Sequence, residues 1–176
     1  MFRYLFFIFC LFFNFGCDDS STKKSDGNIT QTENTKTITS KDIQSLKYDD
    51  YALSEDATKA LENWPKYQEL NQQIGYLRNG DFSFFNGEQS TLITFITDFS
   101  ATVPESIKTA PILSRITALE TMLLKLNSTI KLDNLDKQIQ LKATKEFLVA
   151  MSNLNLQINK KFELDSNLIE KIDTIE

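Results

Sequence analysis

Histidine is absent from all 176 residues. That absence excludes Ser-His-Asp and Cys-His nucleophilic sites, and also the Glu-x-x-His ligand pairs with which helical bundles hold two iron or manganese ions. Cysteine occurs only at Cys10 and Cys17, and methionine three times including the initiator. Haem would lack its usual histidine or thiolate ligand, and a copper–thioether site would lack donors. Carboxylate-only chemistry stays open in principle through Asp98, Glu105 or Glu120, yet no spacing singles out a pair. No catalytic residue, metal ligand or cofactor is therefore assigned.

Proline and glycine are scarce, at three and five. After Pro111 neither occurs, and nowhere does a glycine-centred hairpin or a run of period two suggest strands. Long basic runs are also missing. The whole chain carries −5, and since Arg3 is the sole charged side chain before Cys17, the rest is one unit more negative. Nucleic acid is a poor partner for such a surface. The longest apolar run, Tyr4 to Phe13, is about ten residues, whereas a bilayer-spanning helix needs roughly 18.

What is present begins with that run. One positive charge at Arg3, the apolar stretch YLFFIFCLFF, then Asn14, Phe15 and Gly16 before Cys17 have the layout of a secretory signal peptide over residues 1–16. A cysteine directly after a small residue at this place resembles the lipobox of bacterial lipoproteins, with Asn14 standing where that motif usually has leucine. Cys10, preceded by the bulky Phe9, fits the motif less well. The resemblance implies palmitate-type acylation of Cys17, cleavage just before it, and a lipid anchor in a cell-envelope membrane. Two or three acyl chains hold a protein to a bilayer where one does not. With Cys10 removed and Cys17 acylated, no thiol is left for a disulfide.

Asp18 and Asp19 follow the cysteine. In enterobacterial lipoproteins an aspartate here resembles an inner-membrane retention signal; in Bacteroidetes an acidic pair resembles a surface-export signal. A composition rich in Asn, Lys, Ile and Phe favours the second, so the outer membrane, on its periplasmic face or at the cell surface, is expected over the inner. The overall layout, with the stretches W-P-x-Y at Trp64 and P-I-L-S-R-I at Pro111, is similar to small flavobacterial lipoproteins, a resemblance that implies no particular activity.

From Cys17 to residue 50 the chain is dominated by Ser, Thr, Lys, Asp, Asn and Gln with isolated apolar residues, and reads as a disordered tether. About 30 residues of flexible chain span about 30 Å, and about 100 Å when extended. Residues 51–176 read as a single all-α domain: an up-down four-helix bundle with a short C-terminal helix at residues 166–175. Ile112, Ile116, Leu119, Leu123, Leu126 and Ile130 form an a/d stripe. Leu135, Ile139, Ala143, Phe147, Ala150, Leu154 and Ile158 form a second, with Asp133 or Asn134 as its N-cap. Upstream, Ser54 opens a helix that Asn79-Gly80 closes, with a kink or break expected at Pro65. Gln89 to Phe99, apolar over more than half its circumference, is expected to be the most buried helix.

Two aromatic stretches are the candidate partner-binding elements. Trp64 and Tyr67 in NWPKY either anchor a partner or pack over the core at the proline. Phe82, Phe84 and Phe85 in DFSFFNG either form a partner-binding loop or a lid over one end of the bundle. Arg115 either pairs with an acid on a neighbouring helix or lies along the surface. The glycosylation-like triplets at Asn28, Asn127 and Asp173-Thr174-Ile175 are short enough to arise by chance.

The expected activity is non-enzymatic: binding or scaffolding of another envelope component or an external protein, with carriage of a lipid or other hydrophobic ligand in a seam between helices as the alternative. The anchor rests on one thiol. Cys17→Ser is expected to leave uncleaved precursor or soluble protein, and mass spectrometry of the wild type should find an acylated Cys17 at the mature N-terminus; an unmodified terminus elsewhere would refute it.

Overall fold

Pro65 splits one amphipathic stripe into two helices. Its ring and missing N–H exclude it from a helix interior but suit a first helical position, and the preceding Trp64 sits at φ −113°, ψ 82°, outside the helical region. The break expected there is thus realised: α2 spans Glu55–Leu61 and α3 spans Pro65–Arg78. Ser54 caps α2 by accepting from the Ala57 N–H. Asn79-Gly80 ends α3, with Gly80 at φ 89° and its N–H donating to Leu77 O at 2.8 Å.

The computed structural model describes residues 37–173, with side chains up to residue 167. All of these belong to one unit, Thr35–Glu176. The described chain is all-helical, without strands, and its helices number six: α1 (Ser40–Gln44), α2, α3, α4 (Gln89–Ala101), α5 (Ala110–Ile130) and α6 (Lys137–Asp173), with a 3₁₀ turn at Glu105–Ile107. No described helix is long and apolar enough to cross a membrane.

Four expectations change. First, the polar segment read as tether up to residue 50 is folded from Ile38 onward. Thr39 caps α1 in a reciprocal box with Asp42, and Ile38 and Ile43 are buried in the main core. A Cβ at Gly80 would lie 3.2 Å from Ser40 N, which shows how closely α1 approaches the end of α3. Residues 49–54 then run along α6, strapped by its polar side chains. Ser152 Oγ accepts from Tyr51 N at 2.8 Å and donates to Asp49 O at 2.6 Å. Asn155 Nδ2 donates to Tyr51 O, and Asn159 pairs with both Ala52 O and Ser54 N. The body therefore begins about a dozen residues earlier than its apolar pattern suggests.

Second, α6 is one continuous helix through Asp173, so the described part of the short C-terminal helix expected at 166–175 belongs to α6. Third, its cap is Asp136, whose Oδ1 accepts from Gln138 N at 2.6 Å, rather than Asp133 or Asn134. Ile139, assigned to the inner stripe, is half exposed, and Leu141, Leu148 and Met151 are buried instead. One broad arc of α6 is covered, flanked by α5 on one side and by α1, α2 and the strap on the other. Fourth, α6 and not α4 is the central helix. Leu92, Phe95, Ile96 and Phe99 of α4 are buried, but Ile93 is exposed. The a/d stripe of α5 holds for Ile112, Ile116, Leu119, Leu123 and Leu126, all buried, and its last member, Ile130, is partly buried against the same core.

Asp42 joins α1 to α6. Its Oδ2 receives Lys137 Nζ at 2.8 Å and the Thr39 hydroxyl and N–H at 2.6 and 2.7 Å. These bonds, Lys137's foremost, hold its carboxyl down to about 2. A depressed carboxyl contributes stability above its unfolded value of about 3.9 and loses it as the pH falls through the folded value. Docking of α1 is expected to loosen between about pH 4 and pH 2, seen as faster amide exchange in Ser40–Gln44, and Asp42→Asn should remove that dependence. Loosening confined to pH values above 5 would argue against it.

Candidate functional site

The two aromatic stretches join one core, bridged by Phe95 and Phe99 of α4, whose ring centroids are 6.4 Å apart. Trp64 is fully buried, with its ring centroid 4.4 Å from Phe99 and 5.5 Å from Tyr67, and Nε1–H donates to Thr102 Oγ1 at 3.3 Å. Tyr67 is buried as well, and its hydroxyl donates to Asn155 Oδ1 at 2.8 Å. Burial pushes this phenol well above its ordinary pKa, with the Asn155 bond opposing in part. Phe85 is fully buried, 5.1 Å from both Phe84 and Phe147, and Phe84 stands edge-on to Phe95 at 5.2 Å. Phe82 and Phe84 are partly buried against the same core.

Of the two alternatives for each stretch, Trp64, Tyr67 and Phe85 follow the packing one as buried core residues, whereas Phe82 and Phe84, packed against that core, keep part of their rings at the surface. What holds the DFSFFNG turn is Asn127 of α5, itself buried, whose Nδ2 donates to Phe85 O at 2.7 Å and Gly87 O at 2.9 Å. Asn86 N donates to Phe82 O, and Ser83 N to Asp81 Oδ1; the Ser83 hydroxyl first, and this backbone bond second, lower the Asp81 pKa. An Asn127 buried in this way is no glycan acceptor. Its replacement by Ala strands two carbonyls, so Asn127→Ala should cost about 1–3 kcal/mol in denaturant unfolding; an unchanged midpoint would contradict the role.

Cys17, Asp18, Asp19, the leader 1–16 and Thr174 lie outside the described residues. Asp98, Glu105 and Glu120 lie on α4, the 3₁₀ turn and α5, and Glu105 pairs with Lys108 at 2.6 Å. Among the described residues no three His, Cys, Asp or Glu side chains gather where a metal ion could be held.

A different site forms where α5 and α6 lie side by side. A groove of about 550 Å³ is lined on α5 by Arg115, Ala118, Met122 and Lys125, and on α6 by Lys142, Lys145, Glu146, Val149, Ala150 and Asn153. The α5 residues recur at steps of three and four, so they share one face; each of them immediately precedes a member of the buried stripe, which turns their face to the outside. Arg115 to Lys125 covers about 15 Å along the axis. Lys125 Nζ stands 2.6 Å from Glu146 Oε2, a charge contact off the hydrogen-bond direction, and that buried oxygen has no other donor. Arg115 is exposed at the far mouth, which fits the surface reading of this residue.

The floor of Ala118, Met122, Val149 and Ala150 is apolar, while four cations and one carboxylate form the rim. Sequence reasoning passed over this site because each half is an ordinary amphipathic boundary, and only the pairing of the two helices makes a groove. Compared with known proteins, the chain matches no family model, no curated protein and no solved structure.

Proposed function

We propose that this protein is a lipid-anchored envelope protein whose helical body is a non-enzymatic binding module, and that what it binds lies in the groove between α5 and α6. Acyl chains on Cys17, with Asp18 and Asp19 as sorting residues, would hold it at the outer membrane. Residues 18–37 would act as the tether. In this reading α3, α4, α5 and α6 are the four long helices of an up-down bundle. That topology is supported by the packing of each against the next, α3 on α4, α4 on α5 and α5 on α6.

The observation that carries the proposal is the groove: an apolar floor under a basic rim, on a chain that is acidic overall. It favours a small or elongated ligand, the carrier function, over scaffolding through exposed aromatics, because Trp64 and Phe85 are fully enclosed. Photo-crosslinking in intact cells tests it. A photoreactive residue at Ala118 or Val149 of the full chain should form adducts in the membrane fraction, and one at Tyr76, exposed on α3, should not. Equal labelling from all three positions, or none from the groove, would reject it.

A further inference from the structure

The groove is polarised along its length, and this limits what fits. Lys125, Lys142 and Lys145 gather at the end nearer the α5–α6 connection; Arg115 and Asn153 stand at the other. Because Glu146 engages Lys125 at 2.6 Å, Lys142 and Lys145, nearly one turn apart on α6, carry most of the uncompensated charge at that end. Between the ends lie two alanines, which leave space, and Met122 and Val149, half-buried, the first of them flexible enough to adapt to an alkyl chain.

We infer that the groove binds a single-chain amphiphilic anion, its carboxylate or phosphate head between Lys142 and Lys145 and its tail along Met122 and Val149 toward Arg115. This rests on the reading of the groove as the binding site. One cluster of cations at one end matches one compact head, whereas an acidic helix laid in the groove would present charge along its whole length. A volume of about 550 Å³ and a length of about 15 Å suit one alkyl chain. The acidic surroundings disfavour polyanions and anionic bilayers, which meet the whole surface, but not a monomer that meets only the groove.

Methionine methyl NMR separates the possibilities, because Met122 lines the groove and Met151 is buried in the core as an internal reference. The full chain in phosphatidylcholine nanodiscs is titrated with dodecyl phosphate below its micellar concentration, then with dodecanol and with inorganic phosphate. Dodecyl phosphate should shift Met122 saturably and leave Met151 in place. Dodecanol should bind about tenfold more weakly, and phosphate alone should not saturate. In the double variant Lys142→Gln/Lys145→Gln, whose unchanged Met151 signal reports an intact core, half-saturation should rise by about tenfold for dodecyl phosphate and not for dodecanol. Equal affinity for the phosphate and the alcohol, or an unaffected double variant, would overturn the inference. Response of Met122 only to an acidic amphipathic peptide, or only when the nanodisc contains phosphatidylglycerol, would overturn the ligand class and keep the groove as a binding site. If none of these probes moves Met122, the reading of the groove falls with it.

Discussion

The packing of α6 on both of its sides is the constraint from which the rest of the structure follows. A helix covered on one side only needs a single stripe, but α6 buries Phe147, Leu154 and Ile158 together with Leu141, Leu148 and Met151. It thereby serves α5 on one flank and α1, α2 and the strap on the other. Fully buried aliphatic and aromatic side chains contribute on the order of 1.5–3 kcal/mol each. The connection at residues 131–136 is short, so α5 and α6 lie antiparallel and their apolar stripes meet over most of the length of α5.

A helix covered twice must also accommodate polar groups in its interior. Thr144 and Ser152 are buried in α6, and each is satisfied: Thr144 Oγ1 donates back to Gln140 O at 2.9 Å, and Ser152 bridges the strap. Ser152, Asn155 and Asn159 recur at helical spacing and take up the backbone groups of residues 49–54, which have no helix or sheet of their own. Asn127 does the same for the carbonyls of Phe85 and Gly87. Irregular segments are thus fastened by amide and hydroxyl side chains on α5 and α6, and in the turn held by Asn127 the Phe85 ring can then enter the core.

Since the inner faces of α5 and α6 are committed to the core, their outer edges are left to meet each other, and the groove is the result. Its cations stand where long side chains lie along a helix boundary with stems on apolar surface and charge in water. Attachment and recognition are separate tasks in the proposed function. Cys17 would hold the molecule at the membrane, and the groove, formed by the two longest helices, would stay rigid while the body moves on its tether.

Much of this was written locally in the chain. The scarcity of glycine and proline, the stripe from Ile112 to Leu126 and the break at Pro65 declare helices, because periodicity and backbone restriction act within a few residues. The absence of histidine rules out whole classes of chemistry without any fold at all. Other features depend on partners distant in sequence. Nothing near Ile38 or Tyr51 shows that Leu77–Gly80 and Ser152–Asn159 will receive them, so a polar segment reads as tether when it is in fact fastened down. The exposure of Trp64 and Phe85 was undecided until Phe99 and Phe147 came to cover them. The groove likewise exists only once α5 and α6 are paired. Secondary structure follows from neighbours along the chain, which the sequence alone records, whereas burial and the making of a site follow from neighbours in space, which the tertiary structure alone decides.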